Sequence, residues 1–265
     1  MLADSQTNAS ETHSIPIDSS FEKGNNSAVF FDIKFNDGLK DEIKKNISKL
    51  FMGCEIGFDL ILNKYNRLLA DKTTKEKMGL LSEFITHIIL VSYGYEQHFL
   101  FANLEENSAK KGFDGLYTFD ENIWLMESKS GSAKTKHKGK IKLAINDLEN
   151  KLSNNTDNNP WQNAYTHSMM VNQNIQLKSM LLDLDKMYEK KKPIDKNQFC
   201  IIPSATIFSD PTIILSKEDL ETIIVDNEYL KALFLCISQR KIEETESYIR
   251  GVLSDEIHIE NNAQE

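Results

Sequence analysis

The stretch that decides the fold is Gly112–Gly131, which reads GFDGLYTFDENIWLMESKSG. It contains two apolar segments, Phe113–Phe119 and Ile123–Lys129, each with the length and the aromatic or β-branched content of a strand. The short polar sequence between them favours a tight turn. We therefore predict an antiparallel hairpin, with Asp114 near the start of its first strand and the Glu-Ser-Lys sequence at the end of its second.

The register of this hairpin decides whether its charged residues meet. Side chains two residues apart on a strand share a face, so Glu127 and Lys129 project together while Ser128 points away. A two-residue loop at Asp120–Glu121, or a four-residue loop centred on the same turn, places Asp114 opposite Glu127, with about 5 Å between their Cβ atoms. A loop with an odd number of residues instead pairs Asp114 with Ser128 and separates the two carboxylates.

Asp114, Glu127 and Lys129 form the set that metal-dependent phosphodiester cleavage requires. Two carboxylates bind Mg²⁺, a hard cation that prefers oxygen ligands, and Mn²⁺ is a possible substitute. We include Ser128 with Asp114 and Glu127 among the expected metal ligands. Lys129 is placed to orient or deprotonate the attacking water and to stabilise the developing charge. The alternative is structural: a simple ion pair between Lys129 and one of the acids at a strand end.

A fourth candidate acid, Glu83, lies on the apolar helix that is predicted to begin at Thr73 or Thr74 and to end near Tyr93. On a helical wheel, Glu83 falls beside His87 and away from the apolar stripe. The functional interpretation is an additional catalytic acid. The alternative is a solvated helix face, with His87 as a surface histidine.

The densest basic cluster in the chain directly follows the Glu-Ser-Lys sequence. It consists of Lys134, Lys136, Lys138, Lys140 and Lys142. The functional interpretation is a track that contacts DNA phosphates without reading the base sequence. The alternative is a loop whose lysines are simply solvated.

The remaining elements are predicted outward from this hairpin by the spacing of their apolar residues. In chain order they are a strand over residues 29–35, helices over 39–50 and 56–69, a strand over 97–102, helices over 141–152 and 161–188, a strand over 199–208 interrupted near Pro203, and two helices over 217–253. This order is typical of an α/β sandwich with a mixed sheet. We expect one domain over residues 28–255, between a mobile polar tail over residues 1–27 and a flexible tail over residues 256–265.

Composition limits the class of protein. A net charge of −9 argues against a chain that coats nucleic acid nonspecifically, although a nuclease needs only a local basic surface. No run of about 18 apolar residues occurs, so no membrane segment is expected, and the N-terminus lacks the pattern of a signal peptide. The three cysteines, Cys54, Cys200 and Cys236, form no C-x-x-C pair, and they fit a reducing cytoplasm.

The order of these features resembles the PD-(D/E)xK nuclease superfamily: a helix with an acid, a strand with an acid, a strand with Glu-x-Lys, and then a helix. The chain is most similar to the family of the nuclease subunit of the Hachiman anti-phage defence system, HamA. The resemblance covers about residues 77–152 and includes the segments FDGLYTF, IWLMESK and KLAINDLE. The proline of the superfamily's name is absent, because Gly112–Phe113 precedes Asp114.

This resemblance implies an α/β fold with a restriction-endonuclease-like core, in which helices flank a central mixed β-sheet. The catalytic residues it implies are Asp114, Glu127, Lys129 and Glu83. It also implies a Mg²⁺-dependent deoxyribonuclease that acts with a helicase, which senses foreign or damaged DNA and restrains the nuclease until then. Two alternatives remain: a stand-alone restriction or repair nuclease of the same fold, and a noncatalytic scaffold that binds only protein.

Overall fold

The computed structural model describes residues 13–101, 112–153, 156, 158–171 and 174–262. Its strands are β1 (Ser19–Lys23), β2 (Asn26–Asp32), β3 (Glu96–Gln97), β4 (Gly115–Phe119), β5 (Asn122–Ser132), β6 (Cys200–Phe208) and β7 (Lys231–Gln239). Its helices are α1 (Asp37–Met52), α2 (Phe58–Leu69), α3 (Thr74–Ser92), α4 (His137–Leu152), α5 (Pro160–Val171), α6 (Ile175–Glu189), α7 (Lys217–Glu221) and α8 (Ile242–Asn262). Within these residues, every helix is too short or too polar to span a membrane.

The strands of the described residues form one mixed sheet in the order β1-β2-β7-β6-β5-β4-β3. The central strands β2, β7, β6 and β5 run parallel to one another, and the outer strands β1, β4 and β3 pair in antiparallel orientation. Helices α1, α2, α3 and α8 pack on one face of the sheet, and α4, α5 and α6 pack on the other. This is an α/β fold with a restriction-endonuclease-like core, so the predicted fold class is confirmed.

Two central strands are buried along nearly their whole length because helices cover both of their faces. Every residue of β6 is buried, and in β7 only Lys231 is partly exposed. Parallel strands in this position read as continuous apolar runs and not as alternating ones. The interruption predicted near Pro203 is wrong for the strand itself, which continues. Only its pairing with β7 is interrupted, at Ile202 and Pro203, because proline has no N–H to donate.

The C-terminal part of the chain differs from the prediction. The sequence predicts two helices over residues 217–253, but the structure has α7, then β7, then α8. An apolar run such as LFLCIS fits a buried strand or a buried helix equally well by periodicity alone. The single helix predicted over residues 161–188 is divided into α5 and α6. The strand predicted over residues 97–102 is mostly absent from the described residues of that range, which contain only the last residue of β3.

Among the described residues, parts of both expected tails form regular structure. Within the tail expected over residues 1–27, β1 pairs with β2, and half-buried Phe21 packs against the core. An antiparallel outer strand needs only one apolar face, so polar composition does not exclude it. The tail expected over residues 256–265 is also wrong as far as Asn262, where α8 ends. Residues 1–12 and 263–265 lie outside the described residues.

Candidate active site

The hairpin of β4 and β5 sets the geometry of the candidate site. Its loop consists of Asp120 and Glu121, whose φ angles of 49° and 60° both lie in the left-handed region. A two-residue loop with two such angles is a type I′ turn, which matches the twist of the flanking strands. Gly115 pairs with Met126 across the hairpin. The predicted register with an even loop is therefore confirmed.

This register brings Asp114 next to Glu127, at the point where β4 begins. The backbone N–H of Asp114 donates to the carbonyl of Met126 at 3.1 Å. Oδ2 of Asp114 accepts the backbone N–H of Ser128 at 2.8 Å. The carboxylate of Asp114 is thus held against β5 by the backbone of the strand that carries Glu127.

Glu127 is deeply buried, with only 3% of its surface exposed. Its Oε1 accepts a hydrogen bond from Nζ of Lys129 at 2.9 Å, and its Oε2 accepts one from Nζ of Lys151. Burial and the nearby Asp114 raise the pKa of Glu127 to about 7, against the opposing effect of the two lysines. Because an isolated charge is costly in such surroundings, this carboxylate needs the cations that surround it.

Helix α4 supplies two charged residues that the sequence analysis missed. They are Asp147 and Lys151, one helical turn apart, and they form what we name the charged face of α4. Nζ of Lys129 contacts Oδ2 of Asp147 at 2.6 Å in addition to its contact with Glu127. Burial lowers the pKa of Lys129, but Glu127 and Asp147 outweigh this effect and raise it, so the lysine stays charged. An Asp–Lys pair four residues apart was visible in the sequence, but such pairs occur on many solvated helices.

Ser128 faces the opposite side of β5 from Glu127, as strand alternation predicts. Its hydroxyl lies 2.8 Å from the hydroxyl of Ser82 on α3, within hydrogen-bonding distance. Its side chain is therefore directed away from the two acids. Its backbone carbonyl points to the same edge of the strand as its N–H, which Asp114 accepts. As a metal ligand, Ser128 would offer this carbonyl.

Glu83 and His87 are buried, so the solvated helix face and the surface histidine are both wrong. The exposed fraction is 7% for Glu83 and 0% for His87, because α3 is buried on all sides from Leu81 to Leu90. Nε2 of His87 lies 3.9 Å from Oε1 of Glu83, and its Nδ1 hydrogen-bonds with the hydroxyl of Tyr117. Burial lowers the pKa of His87 to about 4, although Asp114 opposes this. A neutral His87 thus lies close to Glu83 and also interacts with Asp114. The role of Glu83 as a catalytic acid stays a prediction.

The lysine cluster divides between two sides of α4. Its members are exposed, apart from half-buried Lys140. Lys136 and Lys140 fall within about 60° of the charged face of α4 around the helix axis, and so continue it toward the N-terminal end of the helix. The remaining members, which precede the helix or lie on its other side, are Lys134, Lys138 and Lys142.

The donor set of the site fits a hard divalent cation such as Mg²⁺ or Mn²⁺. It consists of oxygen atoms, from the carboxylates of Asp114 and Glu127 and the carbonyl of Ser128. In the part of the chain that the structure describes, no three or more His, Cys, Asp or Glu side chains are grouped as a metal site. Water or a substrate phosphate would therefore complete the coordination, which is usual for Mg²⁺.

The fold defines a class of protein, the α/β chains with a restriction-endonuclease-like core. Its features are the mixed sheet, the helices on both faces, and one hairpin that carries two acids and a lysine. The family model described as HamA matches residues 15–246. The chain therefore belongs to the HamA family, whose members are components of the Hachiman anti-phage defence system. The resemblance seen in the sequence is confirmed. A comparison with curated proteins found no significant match.

Proposed function

We propose that this chain is a metal-dependent deoxyribonuclease and acts as the effector of its defence system. The observation that carries the proposal is the register of the hairpin, which aligns Asp114 with Glu127 and leaves Lys129 on the same face. Three charges on one largely buried patch are costly unless they serve one another, a metal or a substrate. Cleavage of DNA by the purified chain in Mg²⁺, and its loss when EDTA is added, tests the proposal.

Each residue of the site has a distinct part in this chemistry. Asp114, Glu127 and the carbonyl of Ser128 would hold Mg²⁺, which when bound supplies polarisation of the phosphate and acidification of a water molecule. Lys129 remains charged at neutral pH, so it is suited to stabilise the negative charge that develops on the phosphate oxygens. It is less suited to take the proton of the attacking water, because a base must first be neutral.

Metal affinity is expected to rise with pH because the pKa of Glu127 is about 7. A protonated carboxyl binds a cation poorly, and the ionised fraction of Glu127 grows from about a tenth at pH 6 to about nine tenths at pH 8. The dissociation constant for Mn²⁺, measured by calorimetry, should therefore fall about tenfold over this range. Glu127→Gln is the control and should bind weakly at every pH. A dissociation constant that does not change with pH in the wild-type chain would contradict a titrating Glu127 ligand.

We further propose that the partner is a helicase of the same defence system. With a net charge of −9, the free chain is repelled by DNA except along the lysine cluster, so a partner would supply affinity for DNA. An unrestrained nuclease would also endanger its own cell, which favours a complex that holds it inactive. The three cysteines are free thiols, which fits the reducing cytoplasm where such a complex would act.

Co-expression with a helicase of the same defence system is expected to give one joint peak in size-exclusion chromatography. Cleavage by the joint peak should be suppressed until DNA and ATP are added. The control is the nuclease purified alone, assayed at the same concentration. Separate elution of the two proteins, with a nuclease that is fully active alone, would favour the stand-alone enzyme.

A noncatalytic scaffold is the second candidate function, and one observation favours it. Both carboxylate oxygens of Glu127 are paired with lysines, as in a purely structural ion-pair network. Calorimetry with Mn²⁺ separates the two functions without a DNA substrate. Binding that disappears in Glu127→Gln supports the nuclease, whereas the absence of binding supports the scaffold.

A further inference from the structure

The two oxygens of Glu127 have cationic partners of different origin. Oε1 pairs with Lys129 from the same strand, and Oε2 pairs with Lys151 from α4. Lys129 also contacts Asp147 at 2.6 Å. It would therefore keep a carboxylate partner if Glu127 were engaged by another cation.

The ammonium group of Lys151 lies near the residues that lead into β4. Its Nζ is 5.8 Å from the centre of the Phe113 ring, and Phe113 directly precedes Asp114. Only 15% of the Lys151 side chain is exposed, so the group is enclosed there. A cation shared by Asp114 and Glu127 would lie in the same region, because Asp114 follows Phe113 in the chain.

Charge explains why a lysine is enclosed in this place. Asp114 and Glu127 are neighbouring carboxylates, and Glu127 is almost completely buried. Two such acids repel each other unless cations lie close to them. The ammonium group of Lys151 supplies a positive charge at Glu127, and its hydrogen bond to Oε2 of Glu127 occupies an oxygen that a metal would need.

We propose, on the basis of the nuclease function proposed above, that Lys151 competes with the divalent cation for Glu127. In the metal-free chain it neutralises Oε2, and it withdraws when the metal binds. Asp147 lies one turn earlier on the same helix, at the spacing from which a carboxylate reaches a lysine, and it is the acceptor for the released ammonium group. Lys151 is thus a positioning residue that sets how readily the site takes up metal.

The variant Lys151→Met tests this competition, because it removes the charge and keeps most of the side-chain length. Its dissociation constant for Mn²⁺, measured by calorimetry, is expected to fall about tenfold, the size of one charge-assisted hydrogen bond. Its thermal midpoint in EDTA is expected to fall as well, since Glu127 loses a partner. A lysine with a purely structural role would leave the metal affinity unchanged or weaken it.

Two control variants accompany this test. Lys186→Met removes an exposed lysine on α6 that pairs with Asp183, and it should change neither the metal affinity nor the thermal midpoint. Glu127→Gln should lose Mn²⁺ binding both alone and combined with Lys151→Met, which shows that the measured metal lies at Glu127. Because none of these measurements contains DNA, they are independent of whether the wild-type chain cleaves it.

A measurement on the wild-type chain covers the case in which Lys151→Met does not fold. The side-chain ammonium resonance of Lys151, identified by its loss in Lys151→Arg, is expected to shift when Mg²⁺ is added. A resonance that ignores Mg²⁺, an unchanged or weaker metal affinity in Lys151→Met, or no metal binding by either chain would overturn the competition. Failure of the proposed nuclease function is a different result, namely metal binding at Glu127 without DNA cleavage.

Discussion

Replacing Glu127 with Gln, or Lys129 with Met, is expected to reduce Mg²⁺-dependent DNA cleavage by more than about 100-fold, the usual scale for removing a group that positions or stabilises the reacting charge. Glu127→Gln removes a proposed metal ligand but keeps the volume of the buried side chain. Lys129→Met removes the charge that we propose stabilises the substrate phosphate. The measurement is the initial rate of cleavage of a DNA substrate under single-turnover conditions.

The control for these variants is Lys186→Met, which removes an exposed lysine on α6 that pairs with Asp183. It should cleave at the wild-type rate. Circular dichroism should show that all three variants are folded, because the buried apolar cores on both faces of the sheet are untouched. Cleavage at the wild-type rate by both Glu127→Gln and Lys129→Met would remove the active-site assignment.

Replacing Lys136 and Lys140 together with Gln is expected to weaken DNA binding about 100-fold at about 50 mM salt, or about tenfold for each phosphate that is no longer neutralised. The slope of log affinity against log salt should fall by about one unit for each lysine, and the weakening should be the same for every DNA sequence. The reason is geometric, since these two lysines continue the charged face of α4 away from Glu127. Fluorescence anisotropy with labelled DNA measures both quantities.

The matched control is the double replacement of Lys138 and Lys142 with Gln, which changes the net charge by the same amount on the other side of α4. Its effect should be limited to the small decrease in affinity that follows from net charge. Equal decreases in both double variants would mean that the cluster acts only through its total charge. No decrease in either would mean that the lysines are merely solvated.

The central part of the site was predictable because it is local in sequence. The turn at Asp120–Glu121 and the strict alternation of β5 determine which side chains share a face. These two facts place Asp114 across from Glu127 and align Lys129 with Glu127, and the structure has that register. A pattern of this kind needs no knowledge of how the sheet packs.

The rest of the site depends on packing between distant segments, which no local pattern reports. Lys151 reaches Glu127 only because α4 lies across β5, and Lys129 finds Asp147 for the same reason. For Glu83 the sequence leaves a solvated face open beside the catalytic role, because a helical wheel assumes that one side of the helix meets water. In the structure the second half of α3 is buried on all sides, so the assumption of a solvated side does not hold there.

The fold shows the same division between local and distant information. Helix α3 begins where the sequence predicts, because Thr73 and Glu76 form a capping box that is recognisable in a few residues. The sequence predicts a helix where strand β7 lies, because a buried central strand loses the alternation that identifies strands. Its identity depends on lying between β2 and β6, and those neighbours are distant in the chain.

In the proposed nuclease, the length of α4 sets the length of DNA strand that the enzyme can engage fully. Eleven residues separate Lys140 from Lys151 and fifteen separate Lys136 from it, which at about 1.5 Å per residue corresponds to roughly 16 and 22 Å. A DNA strand advances about 3.4 Å per nucleotide, so the two lysines would reach phosphates about five to seven nucleotides from the one beside Glu127. An uninterrupted strand of that length on one side of the cut would engage the whole helix. A fragment that ends sooner would engage only part of it, so digestion would slow as the products approach this length.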